Sequence, residues 1–304
     1  MTEKHKIRDF DLLSGYNYFI PNPIQIIALV AFLIAGAVAG NLVAAAFMLL
    51  MPGAAMDSLT LISYPVMFIP AMLYAISASR RNTLFDTGFR LDSMHFGKAG
   101  GILLSVMAMV ATLAAAFLTD IVNVMMPPVP DWLETVFRNM TQGNFIMNFV
   151  CVSVFAPFFE EWLCRGMVLR GLLNCSRRKG GSSERGIRPA WAIVLSALFF
   201  ALIHMNPWQA VPAFVIGCLF GYVYYRTGSL KITMAMHFAN NTFALIMSNV
   251  ESLKDMDTWF DVLPAGIYCV VAVLCAALLL LFVKMLNGIP LESVHGNCDE
   301  IPVM

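Results

Sequence analysis

Long apolar runs constrain the fold of this chain more than any other feature of its sequence. Of its 304 residues, 59% are hydrophobic and 12% are charged, whereas soluble domains are roughly 45–50% apolar and 25% charged. A run of about 20 apolar residues can cross a bilayer as a helix. We count eight such runs, at roughly residues 24–50, 59–78, 100–126, 144–173, 190–206, 207–225, 230–250 and 262–284. The sequence therefore predicts an all-α polytopic membrane protein with about eight transmembrane helices.

The polar segments divide the chain into one membrane domain and two tails. The connections between the runs are short, and we find no soluble domain, internal repeat or low-complexity tract. We expect a cytoplasmic N-terminal tail over residues 1–22, a membrane-embedded domain over 23–285 and a C-terminal tail over 286–304.

The lysines and arginines are concentrated in the N-terminal tail and in alternate loops. These loops contain, among others, Arg80, Arg81, Arg90, Lys98, Arg177, Arg178, Lys179, Arg185 and Arg188. The other loops are acidic and hold only Arg138 and Lys254 as basic residues. The positive-inside rule therefore predicts a multi-pass protein of the plasma membrane with both termini in the cytoplasm. The formal net charge is zero, and we expect no nucleic-acid partner.

Two pairs of glycines are spaced four residues apart within apolar runs. They are Gly36 with Gly40, and Gly217 with Gly221. In lipid, such spacing lets the backbones of two helices approach closely. We expect close helix packing at both pairs, which by itself indicates no function.

Two adjacent acids, Glu160 and Glu161, interrupt the fourth apolar run. A charge in the bilayer interior is costly, so an intramembrane acid indicates function unless a structural partner explains it. Glu161 and Arg165 are four residues apart and can form an ion pair on one helix face. Glu160 points about 100° away and has no such partner. Pro157 removes a backbone donor just before the acids and predicts a local irregularity with an exposed carbonyl group.

Two histidines lie within predicted spans, and an asparagine shares a helix face with one of them. His204 ends the fifth run, and His237 is four residues before Asn241 in the seventh. A carboxyl group in an apolar cavity suits a general base, and an imidazole can help it to activate water. His237 and Asn241 can then stabilise an oxyanion. These groups predict an intramembrane polar cavity equipped for amide hydrolysis.

Three motifs together resemble those of the CPBP family, the CAAX proteases and bacteriocin-processing intramembrane proteases. The motifs are Glu160-Glu161-x-x-x-Arg165, Phe200-x-x-x-His204 and His237-x-x-x-Asn241. They cover roughly residues 144–250, the predicted protease core. The resemblance implies that Glu160 and His204 act on the hydrolytic water and that His237 and Asn241 form the oxyanion hole. It also implies that Glu161, Arg165 and Phe200 support these residues.

The sequence leaves the metal content open. Glu160, His204 and His237 could provide a site for zinc with water as the fourth ligand. However, an HExxH motif is absent, and Asn241 has no role in that scheme. We favour a glutamate-type protease without a cofactor.

Three functions are compatible with the sequence. The first is an endopeptidase that cuts a membrane-associated or lipidated peptide or protein at the bilayer. The second is a non-catalytic membrane protein of the same fold that binds a partner or confers immunity. The third is a secondary transporter with a proton relay, which the absence of inverted repeats disfavours. We favour the endopeptidase, because a scaffold has little reason to keep four polar groups in hydrocarbon.

Overall fold

A computed structural model describes residues 13–82, 91–93, 96–141, 143–178, 187–253, 256 and 258–290. Every regular element in these ranges is helical, which confirms the predicted all-α class. Nine longer helices are present there: α1 (Pro23–Leu50), α2 (Met56–Asn82), α3 (Gly101–Asn123), α4 (Asp131–Thr141), α5 (Phe145–Asn174), α6 (Pro189–Leu202), α7 (Pro207–Thr227), α8 (Leu230–Asn249) and α9 (Ala265–Asn287).

Each of the eight predicted runs corresponds to one of these helices. In the described part of the chain, six are long and apolar enough to cross a membrane, namely α1, α2, α3, α5, α7 and α9. Helix α6 has only 14 residues, and α8 carries several polar side chains. Helix α4 was not predicted, because the search for apolar runs passes over an amphipathic helix. The chain is a membrane protein, and its number of spans stays a prediction.

The first glycine pair brings two helix backbones together, and the second packs closely against side chains. A Cβ atom on Gly36 would lie 2.0 Å from the carbonyl oxygen of Met67, and one on Gly40 would lie 2.8 Å from that of Ser63. Helices α1 and α2 therefore form a close antiparallel hairpin. A Cβ atom on Gly217 of α7 would lie 3.1 Å from the Phe200 ring of α6.

Helix α5 departs from regular α-helical geometry on both sides of the acids. Phe149–Phe155 and Trp162–Leu169 are π-helical, and they flank the α-helical turn Ala156–Glu161. All residues from 161 to 170 are buried. A π-helical stretch leaves backbone groups without their usual partners and is frequent at functional sites. The irregularity predicted at Pro157 is thus present, and it is longer than one proline requires.

Part of the predicted N-terminal tail packs into the helical body. Tyr16 and Phe19 are buried, and the Tyr16 ring meets that of Trp162 edge to face at 5.3 Å. Arg170 of α5 donates hydrogen bonds to the carbonyl groups of Tyr16, Asn17 and Phe19. Residues 13–22 thus belong to the folded domain. Residues 1–12, most of the basic 177–185 loop and the tail from 291 lie outside the described residues.

The buried apolar side chains form two clusters. The first joins residues 13–19, α2, α5 and α6, and the second joins α3, α7, α8 and α9. Helix α5 lies in the first cluster, whereas α8 contributes Leu230 to the first and Ile232 and Met236 to the second. The polar residues of the predicted site lie where these two helices meet.

Candidate active site

A fully buried ion pair joins Glu161 and Arg165 within α5. Arg165 Nη1 donates to Glu161 Oε1 at 2.7 Å, and both side chains have 0% exposure. The four-residue spacing places both groups on one helix face. Burying two charges is costly, and the pair is tolerated only when further contacts satisfy both groups. The predicted pair is therefore present, and its surroundings explain how it persists.

Arg165 is held by three groups from α6 and α7. Its Nη2 donates to the carbonyl oxygen of Gly217 at 3.0 Å. Its guanidinium carbon lies 4.4 Å from the centroid of the Phe200 ring and 5.3 Å from that of Phe220. Cation–π contacts strengthen when the cation is desolvated. The close approach at Gly217 brings α7 near enough for these contacts.

His237 of α8 shares the carboxylate of Glu161 with Arg165. Its Nδ1 lies 3.1 Å from Glu161 Oε1, and the residue is 4% exposed. Since Glu161 is paired with Arg165 as a carboxylate that only accepts, Nδ1 carries the hydrogen. Nε2 is therefore the ring nitrogen that can contact another group. Glu161 orients His237 as well as Arg165, a second contact that the sequence did not reveal.

His204 lies in a turn after α6, whereas the sequence placed it within a helical run. Helix α6 ends at Leu202, and the Asn206 side chain caps the start of α7 by accepting from the Gln209 N–H. Proline disfavours the helical conformation in the residue before it and suits the first position of a helix, so the Asn206-Pro207 pair marks the start of α7. The His204 side chain reaches back to its own helix, where its Nδ1 lies 2.8 Å from the carbonyl oxygen of Phe200. A carbonyl only accepts, so Nε2 of the neutral ring holds the free lone pair.

Phe200 is the common neighbour of both histidines and the arginine. Its ring meets the rings of His204 and His237 edge to face, with centroids 5.1 and 5.5 Å away. Phe200 itself is 3% exposed. One aromatic ring thus fixes the relative positions of Arg165, His204 and His237.

Asn241 binds the irregular part of α5. Its Nδ2 donates to the carbonyl oxygen of Val152 at 2.9 Å. In the π-helical pattern the Ala156 N–H reaches back five residues to Cys151, and the same step from Pro157 reaches Val152. Proline has no N–H, so Asn241 occupies the position of the missing backbone donor. Because a carboxamide nitrogen carries two hydrogens, one remains for another acceptor.

Glu160 has a partner that the sequence did not reveal. The hydroxyl group of Tyr64 in α2 donates to Glu160 Oε1 at 2.5 Å. Within the described part of the chain, Glu160 Oε2 is buried and has no hydrogen-bond partner. The same is true of Glu161 Oε2, but that carboxylate already compensates a buried guanidinium. The sequence predicted that Glu160 has no partner. That prediction is wrong for Oε1, which accepts from Tyr64, and it holds for Oε2 among the described residues.

The sequence contained one signal for Tyr64. It is a polar aromatic residue in mid-span, directly before Pro65, which lies inside α2. Its partner is 96 residues away along the chain, so only the packing of α2 against α5 reveals the pair.

The zinc site considered from the sequence would take Glu160, His204 and His237 as its ligands. Among the residues described, no group of three or more His, Cys, Asp or Glu side chains is placed to hold a metal ion. Glu160 bonds to Tyr64, whereas the Nδ1 atoms of His204 and His237 engage a carbonyl and a carboxylate. These bonds engage one atom of each side chain and leave Glu160 Oε2 without a partner among the described residues, so the zinc site considered from the sequence stays a prediction.

One comparison with known proteins finds a family model that matches part of the chain. Residues 142–243 match the model of the family described as type II CAAX prenyl endopeptidase Rce1-like. The match spans the acids of α5, both histidines and Asn241. It confirms the resemblance to the CAAX proteases over this segment. No curated protein and no solved structure was found to match the chain.

Proposed function

From this family match, we propose that the chain is an intramembrane endopeptidase that cuts a membrane-associated or lipidated peptide or protein with water as the nucleophile. The observation that carries the proposal is one polar cluster at the contact of α5 with α8. Glu161 there bonds to both Arg165 and His237. Glu160, the residue before it, lies on the neighbouring helix face. Polar and ionisable side chains inside a membrane cost free energy, so such a cluster indicates a function.

Glu160 is the general base in this proposal. Its Oε2 takes a proton from water while the water oxygen attacks the carbonyl carbon of the peptide bond. The bond to nitrogen then breaks, and the proton passes to the leaving amine, so that water plus peptide gives a carboxylic acid and an amine, which ionise to a carboxylate and an ammonium group. His204 orients the water through the lone pair of Nε2. A positioned base of this kind contributes roughly 10²–10⁴-fold to the rate.

His237 and Asn241 stabilise the negative charge on the carbonyl oxygen in the proposed reaction. Asn241 donates the hydrogen that Val152 leaves free. His237 donates from Nε2 when its ring is doubly protonated, and the compensating carboxylate of Glu161 is 3.1 Å from Nδ1. Oxyanion donors of this kind are typically worth about 10²–10³-fold each. No step requires a metal ion.

Cleavage of a peptide library tests the proposal. The purified protein in detergent is incubated with membrane-tethered peptides, each with and without a lipid chain, and the products are sequenced by mass spectrometry. We expect internal cleavage by the wild type and by Glu134→Gln, which changes a half-exposed acid on α4. Glu160→Ala should cleave nothing while still folding, with a fall in Tm no larger than loss of the Tyr64 hydrogen bond explains.

The outcomes separate the proposed enzyme from a binding protein. Equal cleavage by Glu160→Ala would assign the base to another residue. Capture of a peptide without cleavage by the folded wild type would favour the non-catalytic membrane protein of the same fold. A preference for lipidated peptides would define the substrate class.

A further inference from the structure

Tyr64 stands outside the matched family segment but contacts the proposed base directly. It lies on α2, and its hydroxyl group donates to Glu160 Oε1 at 2.5 Å. We propose that Tyr64 is a positioning residue of the active site, which fixes Oε1 so that Oε2 is the oxygen that receives the proton. The inference rests on the proposed function and assigns the N-terminal helices a part in it.

Helix α2 is held firmly behind Tyr64. Ser63 precedes Tyr64 and packs against Gly40, and Met67 lies one turn later against Gly36. These contacts bring the α1 backbone against the α2 backbone with no side chain between them. The stretch of α2 that carries Tyr64 therefore cannot move without α1.

Aromatic side chains fix the same stretch of α2 to α5. The Phe68 ring stacks on that of Phe159, with centroids 5.0 Å apart and planes 13° apart. Phe68 is 1% exposed, and its ring also contacts that of Tyr64 at 5.6 Å. Phe159 directly precedes Glu160, so the two helices are joined beside the acid as well as at it. The hydroxyl group is thus aimed at Oε1 by packing on two sides.

The hydrogen bond makes the two oxygens of Glu160 different. A hydroxyl-to-carboxylate bond of this kind is roughly twice as strong as a bond between neutral groups. It restricts rotation of the carboxyl group and leaves Oε2 without a partner among the described residues. A reacting group misplaced by about 1 Å can lose about 10²-fold in rate. Loss of the hydroxyl group should therefore reduce turnover more than substrate binding.

The variant Tyr64→Phe tests the role in catalysis. It keeps the ring that packs on Phe68 and removes the hydroxyl group. We expect kcat to fall by about 10–100-fold with KM within about twofold of the wild type. Tyr74→Phe is the matched control, because Tyr74 lies on the same helix, packs its ring on Phe19 and Phe32, and makes no hydrogen bond through its hydroxyl group within the described residues. An unchanged kcat in Tyr64→Phe would overturn the inference, as would a rise in KM alone.

A stability cycle tests the contact without any substrate. We expect Tyr64→Phe to lower the Tm of the wild type and to leave the Tm of a Glu160→Met variant unchanged. The reason is that the stability effects of substitutions at two contacting residues are not additive. Equal shifts in both backgrounds would overturn the inference even if no peptide is ever cleaved. Peptide cleavage that depends on Glu160 but not on Tyr64 would refute the inference alone, whereas the proposed function fails if the wild type cleaves nothing.

Discussion

At the scale of single residues, Glu161 and Glu160 have different tasks because they have different neighbours. Glu161 is fully buried and bonds to a guanidinium and an imidazole. Glu160 bonds to one neutral hydroxyl group and keeps one oxygen free of partners in the described part of the chain. The first carboxylate thus stabilises the fold and orients His237, whereas the second keeps an oxygen without a partner, as the proposed proton transfer requires.

Removal of the Arg165 charge should destabilise the protein strongly. Arg165→Met leaves Glu161 as a buried charge without its cation, which costs about 3–5 kcal/mol. Thermal unfolding in detergent should show a large fall in Tm for this variant. Arg165→Met combined with Glu161→Gln should recover most of the loss, because no uncompensated charge remains. A double variant as unstable as the single one would contradict this explanation.

The sequence predicted some of these contacts and not others. The pair of Glu161 with Arg165 follows from helical spacing alone. The contacts of Glu160 with Tyr64 and of Glu161 with His237 join residues 96 and 76 positions apart. No local pattern encodes such separations, since they depend on which helices pack together.

At the scale of helices, α5 contains the irregularity and α8 compensates for it. Two π-helical stretches surround the acids, and Asn241 bonds to the Val152 carbonyl that Pro157 leaves without a donor. The sequence indicated an irregularity through Pro157. It could not indicate its length, because a π-helical stretch depends on tertiary contacts rather than on a residue pattern.

Substitution of Pro157 can separate the structural role of Asn241 from its proposed catalytic role. Asn241→Ala should lose stability of about 1–3 kcal/mol, because the Val152 carbonyl loses its donor. In a Pro157→Ala background, a backbone N–H replaces that donor, and Asn241→Ala should cost much less in Tm. Peptide cleavage should stay low in both backgrounds, because the oxyanion donor is still missing. Full recovery of cleavage together with Tm would show that Asn241 acts only on the fold.

The glycine contacts between α1 and α2 should be sensitive to one methyl group. Gly36→Ala places a Cβ atom 2.0 Å from the Met67 carbonyl oxygen, and overpacking of this kind costs about 1–3 kcal/mol. We expect a lower Tm and reduced cleavage, since α2 carries Tyr64. Gly266→Ala in α9 is the matched control, because a Cβ there meets nothing within 4 Å. The explanation fails if the two variants unfold at the same temperature.

At the scale of the whole molecule, helices from both halves of the chain build the site. The matched segment, residues 142–243, supplies the acids, the histidines and Asn241. Helix α2 supplies Tyr64, and residues 13–22 pack against α5 beside the acids. The segment related to the CAAX proteases therefore depends on the N-terminal helices for its geometry.

The overall architecture was predictable because hydropathy and helix length are local properties of the sequence. The eight predicted runs each became a helix, but α6 is shorter than its run and leaves His204 in a turn. The Asn206-Pro207 pair contained the signal for that boundary. The orientation in the membrane, with both termini in the cytoplasm, stays a prediction from the distribution of basic residues.

Hydrolysis in ¹⁸O-labelled water tests the central claim most directly. A peptide that the wild type cleaves is incubated in this water with the wild type, Glu160→Gln and Glu134→Gln, and the products are weighed by mass spectrometry. We predict one ¹⁸O atom in the new carboxyl terminus for the wild type and Glu134→Gln. Glu160→Gln should lose about 10²–10⁴-fold in rate at an unchanged Tm. Equal rates for Glu160→Gln and the wild type would contradict the claim that Glu160 activates the water.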